Sequence, residues 1–192
     1  METKSIMIVG VGGQGSLLAS RLIGNVLLQQ GYDVKVSEVH GMSQRGGSVV
    51  TYVKYGDKVY SPVVEKGEAD IIISFETLEA ARYVPFLKKG GHIVLSTQQI
   101  DPMPVITGAA AYPENIVDKL KGMGIDVIAV DALKIAEECG NAKASNVVLM
   151  GVVSTKMPFD EACWNKAVEE CVPAKFLELN KKRLLWADRL EF

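Results

Sequence analysis

The stretch Ser5-Ile6-Met7-Ile8-Val9-Gly10-Val11-Gly12-Gly13-Gln14-Gly15-Ser16-Leu17-Leu18 decides the fold. Ser5 to Val9 is a short apolar run stopped by glycine, the pattern of a buried strand. From Gln14 to Gln30 the apolar residues Leu17, Leu18, Leu22, Ile23, Val26 and Leu27 recur at helical spacing. Gly31 stands where helices commonly end. Asp33-Val34-Lys35-Val36-Ser37-Glu38 then alternates apolar with polar, as a half-buried strand does. Strand, glycine turn, helix and strand together make a Rossmann-like N-terminal βαβ unit.

Beyond it, Val39 to Gly47 is a polar, glycine-bearing loop, and Ser48 to Tyr55 is a strand dense in β-branched and aromatic residues. Gly56-Asp57 suggests a turn and Lys58 to Val64 a shorter strand, so a β-hairpin is expected to interrupt the α/β alternation. Asp70 to Ser74 and His92 to Ser96 are buried-type strands around a helix from about Glu76 to Leu87. Thr97 to Ala111 is rich in turn formers, with one strand expected near Val105. A helix from Pro113 to Lys121, a strand from Asp126 to Val130, and helices over Ala132 to Glu138, Ala144 to Met157, Glu161 to Cys171 and Pro173 to Arg189 complete the pattern. The expected fold class is α/β, three-layer, with a mainly parallel sheet and a helical C-terminal tail.

The chain has 192 residues, which fits a single domain across 1–192. Apolar residues make up 48% and charged residues 23%, which excludes general disorder. A formal net charge of -2 gives no electrostatic drive toward nucleic acid. No apolar stretch approaches the ~18 residues of a membrane span. The N-terminal run before Gly10 is too short for a signal h-region, so the expected location is cytoplasmic. Cys139, Cys163 and Cys171 lack any C-x-x-C spacing, so no disulfide framework, zinc site or Fe–S site is indicated. No metal ligands and no catalytic residues are assigned.

Gly10, Gly12 and Gly15 fit G-x-G-x-x-G between a strand and a helix, and Glu38 closes the second strand where an acidic residue takes a ribose hydroxyl in dinucleotide sites. An autonomous NAD(P)-binding module is therefore one reading. A tight turn without any ligand is another. Against the first, Gly12-Gly13-Gln14-Gly15 gathers backbone N–H groups and a side-chain amide at a helix N-terminus, a general oxyanion cradle. The loop His40-Gly41-Met42-Ser43-Gln44-Arg45-Gly46-Gly47-Ser48 has no obvious role in such a module. Its glycines permit close backbone approach, and Arg45 can fork onto a carboxylate or phosphate. The candidate cofactor-facing residues are Gly10, Gly12, Gly13, Gln14, Gly15, Gln44, Arg45, Gly46 and Gly47. His40 reads as a loop-ordering hydrogen-bond donor, His92 as structural, and Glu38 as a local partner for Arg45 or backbone amides. Lys181-Lys182-Arg183 is expected on a solvated helix face.

The two glycine motifs, Ile8 to Gly15 and Ser37 to Val49, resemble those of the gamma-type subunit of 2-oxoacid:ferredoxin oxidoreductases. The form His40-Gly41-Met42-Ser43-Gln44-Arg45 and the chain length are most similar to the beta subunit of indolepyruvate ferredoxin oxidoreductase. The resemblance covers nearly the whole chain, including Asp70 to Ser74 and the helix from Asn146 to Gly151. It implies oxidative decarboxylation of a 2-oxoacid with thiamine diphosphate and coenzyme A, electrons passing through Fe–S clusters to ferredoxin. Three scattered cysteines and the absence of a thiamine-diphosphate signature imply that thiamine diphosphate and the clusters belong to a large catalytic partner subunit. This chain would then bind no cofactor firmly itself, would be inactive alone, and would work in a hetero-oligomer with coenzyme A as co-substrate.

Overall fold

The computed structural model describes residues 2–41, 46–138, 140, 142–173 and 177. Its elements run β1 (Lys4–Val11), α1 (Ser16–Gln29), β2 (Asp33–His40), β3 (Ser48–Gly56), β4 (Ala69–Ser74), α2 (Thr77–Tyr83) and β5 (Leu87–Ser96). They continue with α3 (Met103–Ile106), α4 (Ile116–Gly122), β6 (Asp126–Val130), α5 (Ala132–Glu138), α6 (Ser145–Ser154) and α7 (Glu161–Cys171). The six strands form one sheet in the order β2-β3-β1-β4-β5-β6. Neighbours β1, β4, β5 and β6 are parallel, while β3 runs antiparallel to both β1 and β2.

Period-two alternation sorts the strand residues between two helical layers, because successive side chains leave a strand on opposite faces. Ile6, Ile8, Ile71, Ile73, Val94, Ile128 and Val130 join the core shared with α1, α5, α6 and α7. Met7, Val9, Ile72, Ile93, Leu95 and Val127 join the other, with Ala80 of α2 and Ile116 and Leu120 of α4. Burial on both faces is why the central strands read as unbroken apolar runs. The three-layer α/β reading is therefore right. Helix α6 is buried from Asn146 to Val153, which suits a helix that is apolar all round.

Several local expectations are corrected. The hairpin exists, but its arms are β2 and β3, paired from Asp33↔Gly56 to His40↔Val49. β3 thereby slots between β1 and β2, so the two parallel strands of the N-terminal unit are not neighbours. Lys58 to Val64 forms no strand. Both edges of β3 are already occupied, and the segment is held by side chains instead: Val59 N donates to Asp33 Oδ2 (2.9 Å) and Lys54 Nζ to Val63 O (2.9 Å). The strand expected near Val105 is the one-turn helix α3, which begins beside Pro102 and Pro104, residues suited to a first helical turn. Helix α4 starts at Ile116 rather than Pro113, after Asn115 takes a left-handed conformation with φ 55°. The helix expected over Pro173 to Arg189, with Lys181-Lys182-Arg183, lies almost wholly outside the described residues, as do Cys139, Gln44 and Arg45. Among the described residues no helix is long and apolar enough to cross a membrane.

Candidate functional site

Parallel sheets bind ligands outside the carboxyl ends of their strands, where neighbouring connections leave in opposite directions. Here that point lies between β1, whose connection runs toward β2, and β4, whose connection runs toward β5. After Val11 the chain turns through Gly12 to Gly15 into α1. Gly13 and Gly15 take φ values of 101° and 91°, conformations L side chains rarely adopt. Gly10 is small for a different reason: a Cβ there would stand 2.8 Å from Gln14 Oε1 and 3.1 Å from Phe75 Cβ.

Gln14 closes the turn. Its Oε1 accepts from Val11 N (2.7 Å), and its Nε2 donates to Phe75 O (2.8 Å) and to Gln98 Oε1 (2.9 Å). The amide thus bridges the ends of β1 and β4. On the other side of the turn Asn146, at the start of α6, donates from Nδ2 to Gly15 O at 3.4 Å. Sequence reasoning assigned no role to Gln98 or Asn146. Each lies far along the chain from its partner, and no local spacing signals either contact.

Open space lies instead toward β2 and β3. A cleft of about 380 Å³ is lined by Gly12, Gly13, Gly15, Ser16, Leu17, Glu38, His40 and Val49. The N-cap Gly15 supplies no side-chain cap, and the first N–H groups of a helix have no partner within it, so the N-terminus of α1 presents bare donors and partial positive charge. The facing wall is Glu38, whose Oε2 accepts from Thr51 Oγ1 (3.2 Å) and Ser16 Oγ (3.4 Å). Two hydroxyls therefore hold this carboxylate, while its expected pairing with Arg45 lies outside the described residues. His40 is exposed, with Nδ1 3.3 Å from Gly41 O.

The second glycine motif meets the first through its exit. Gly12 N donates to Gly47 O at 2.8 Å, which brings Gly47 against the turn residues. Gly46 has φ 77°. The next residue after Gly47, exposed Ser48, donates from Oγ to Glu79 Oε2 at 2.5 Å. Glu79 lies in the first turn of α2 and is 4% exposed. Burial pushes its carboxyl above the usual carboxylate range, opposed by the Ser48 hydroxyl and by Arg82, whose Nη1 is 3.3 Å from Oε1. Three residues earlier, Glu76 is 1% exposed and serves the helix itself, capping α2 through Glu79 N (2.8 Å). It also accepts from Tyr112 Oη (2.5 Å) and Ile100 N (3.2 Å). The structure thus brings Gly10, Gly12, Gly13, Gln14 and Gly15 of the sequence reading together with Gly47, and adds contacts from Gln98, Asn146, Ser48 and Glu79.

His92 lies at the opposite end of the sheet, in a pocket with Lys4, Asp70, Lys88 and Lys156, and burial pulls its pKa down. Cys163 and Cys171 are half-buried free thiols. Among the described residues no group of three or more His, Cys, Asp or Glu side chains is placed to hold a metal ion.

A mixed six-stranded sheet with a glycine turn between its first strand and first helix, and an antiparallel strand inserted beside that strand, defines an α/β domain in which the simple dinucleotide arrangement is broken. Residues 5–185 match the family described as pyruvate ferredoxin/flavodoxin oxidoreductase, and the chain belongs to that family as a gamma-type chain. It is 43% identical over 189 residues to "Indolepyruvate oxidoreductase subunit IorB" of Thermococcus kodakarensis, covering 95% of this chain and 93% of that one. The fold is shared with the gamma subunit of a keto/oxoacid ferredoxin oxidoreductase from Geobacter sulfurreducens, at a TM-score of 0.70, 22% identity and coverage of 97% and 96%. It also matches part of the 2-oxoglutarate:ferredoxin oxidoreductase of Magnetococcus marinus, solved with 2-oxoglutarate, coenzyme A and succinyl-CoA bound. That match has a TM-score of 0.74 and 17% identity, and spans 100% of this chain but 32% of the longer one. The chain is a small subunit of the 2-oxoacid ferredoxin oxidoreductase family.

Proposed function

We propose that this chain is the subunit of an arylpyruvate, most simply indolepyruvate, ferredoxin oxidoreductase that presents its paired glycine motifs to coenzyme A and to a large catalytic partner. The observation that carries the reading is the Gly12 N to Gly47 O bond of 2.8 Å, which joins the two motifs into one surface beside the bare N-terminus of α1. The residues fit an anionic group: glycine backbone without side chains, helix-terminal N–H donors and a cleft of about 380 Å³. A phosphate of coenzyme A has that chemistry, and Arg45 from the adjoining loop would add a bidentate donor. The Glu38 carboxylate on the facing wall disfavours a second anion there and confines the phosphate to the α1 side. Gln14 acts indirectly, by holding the turn. Gly46 and Gly47 lie on the loop side of this surface, and Gln44 would add a hydrogen-bonding amide to it.

Thiamine diphosphate and Fe–S clusters, which supply carbanion and electron-transfer chemistry, belong in this reading to the partner. The identity of 43% to an indolepyruvate oxidoreductase subunit supports the arylpyruvate assignment. The complex oxidatively decarboxylates the 2-oxoacid to an acyl-CoA and passes the electrons to ferredoxin in the cytoplasm.

The NAD(P)-module alternative is weakened by the sheet order. β3 separates β1 from β2 and carries Glu38 one strand spacing, roughly 4.8 Å, outward from where a ribose ligand would stand. Two experiments test the proposal. Co-expressed with the large subunit, the chain should form a complex that reduces a viologen dye from indolepyruvate and coenzyme A, and Arg45→Ala should cut that rate or the subunit affinity. The chain alone, titrated calorimetrically with NAD, should give no heat of binding; micromolar NAD binding, or an Arg45→Ala complex of parental rate and affinity, would sink it.

A further inference from the structure

The amino ends of the parallel strands, at the far edge of the sheet from the glycine turn, surround a second cavity of about 280 Å³. Lys4, Lys88, Lys89 and Lys156 line it against a single carboxylate, Asp70, in a chain whose formal net charge is -2. The lysines arrive from separate places: Lys4 opens β1, Lys88 and Lys89 belong to β5, and Lys156 follows α6. The carboxylate is already engaged, accepting from Ser5 N at 2.9 Å and from Lys88 Nζ at 3.4 Å. Lys4, Lys89 and Lys156 have no carboxylate within ion-pair distance among the described residues. A cleft lined by one sign of charge focuses its field and concentrates the opposite ion.

The backbone helps to gather these charges. β4 and β5 pair Ala69 with Leu87 and then Ile71 with His92, so that Lys88 to Gly91 stand opposite Asp70 alone. Bulges of this kind re-aim side chains, and this one presents two lysines to the cavity. It depends on its glycines: Gly90 takes φ 82°, and a Cβ on Gly91 would stand 2.8 Å from Asp70 O. Next to them His92 lines the same cavity, and its Nε2 is buried with no hydrogen-bond partner among the described residues. Buried polar atoms are paired as a rule, so this one calls for a water or a ligand atom.

We propose that this cavity is an anion site for a compact phosphate, either inorganic phosphate or a small phosphate monoester. Three uncommitted ammonium groups suit a phosphate, which carries about -1.5 to -2 charges at pH 7, better than a monoanionic carboxylate. The volume falls just short of the roughly 300–1,000 Å³ of pockets for drug-sized molecules, which selects a small ion over a nucleotide. His92 reports on occupancy. Burial lowers its pKa, reinforced by Lys156 and Lys4 and opposed by Asp126 and Asp70. A bound dianion adds negative charge beside the ring and raises that pKa. His40, exposed at the other end of the sheet, is the only other histidine and serves as the control.

The test follows the two histidine ring resonances of the full chain by NMR while phosphate replaces chloride at constant ionic strength. A saturable shift of His92 with a raised pKa, and a silent His40, is expected. Lys89→Ala and Lys156→Ala should each weaken half-saturation about three- to fivefold, as suits exposed charges, and the double variant about tenfold. At ten times the half-saturating concentration the parent's melting temperature should rise by about 3–6 °C, and the double variant's by less. All these lysines are exposed, so the variants keep the fold. Methyl phosphate, titrated in the same way, separates the two sources: equal or tighter binding assigns a phosphorylated metabolite, and exclusion assigns the free ion. A His92 shift that grows without saturating, or that His40 shares, overturns the proposal. So does a half-saturation in the double variant equal to the parent's.

Discussion

The β1–α1 turn and the β2–β3 loop are both rich in glycine and meet at a single backbone bond, yet they are held in different ways. The turn is closed by its own residue: Gln14 reaches back three positions to Val11 N, and only its second and third bonds leave the neighbourhood. The loop depends at its exit on Glu79, a side chain from another element on the other side of the sheet. A conformation enforced by glycine dihedrals and a neighbouring amide can be read locally. One enforced by a distant carboxylate cannot.

The largest effect separating the two regions should come from Gly15→Ala. Its Cβ would sit at φ 91° and 2.3 Å from Asn146 Nδ2, so both strain and collision act. Strain at a left-handed position costs roughly 1–3 kcal/mol and displacement of Asn146 adds to it, giving about 3 kcal/mol. At roughly 2–4 °C per kcal/mol for a domain of this size, thermal unfolding should fall by about 6–12 °C. A shift within a degree of the parent would mean that the turn is not fixed as described. Gln14→Ala comes next. It leaves Val11 N and Phe75 O without their partner, at about 2 kcal/mol, again read as a lowered midpoint. A loss below about 0.5 kcal/mol, usual for surface changes, would show that the amide clasp is dispensable.

What was legible in the sequence follows the same division. β1, α1, β4, β6 and α7 announce themselves by period and by glycine stops, because burial on one or both faces imposes the pattern residue by residue. The insertion of β3 between β1 and β2 does not, since strand order is a property of pairing rather than of any strand's own composition. Lys58 to Val64 has a strand's composition and is no strand, because β3 has no free edge left to pair it. Val105 has a strand former's side chain, but the prolines at positions 102 and 104 favour a helical turn. At the turn, Gly10, Gly12 and Gly15 were recognisable from spacing alone. Asn146 and Glu79 were not, because each acts across the sheet or between layers, 131 and 31 positions from its partner.

Gly13→Ala isolates strain from collision. The residue has φ 101° with nothing within 4 Å of an added Cβ, so only the dihedral penalty remains. A loss of about 1 kcal/mol is expected, well short of Gly15→Ala. Equal losses at the two positions would mean that the Asn146 contact contributes nothing to the turn.

The smallest effect is a difference in pH dependence. Gln14 is a neutral amide, so the turn's clasp does not titrate. Glu79 does, and burial raises its pKa above the ordinary 4.5 in the folded state, with Ser48 and Arg82 only partly opposing it. The folded protein therefore binds this proton more tightly than the unfolded chain. The corresponding stability is fully present below about pH 4.5 and is lost as pH rises through the raised folded value. Glu79→Gln removes this dependence. The melting temperature of the parent relative to Glu79→Gln should thus decline from pH 4.5 upward and then level off, whereas the parent relative to Gln14→Ala should hold a constant gap. A parent advantage over Glu79→Gln that grows with pH would reverse the sign. It would mean that Ser48 and Arg82 outweigh burial, making the loop's anchor a conventional charged clamp rather than one that weakens as it ionises.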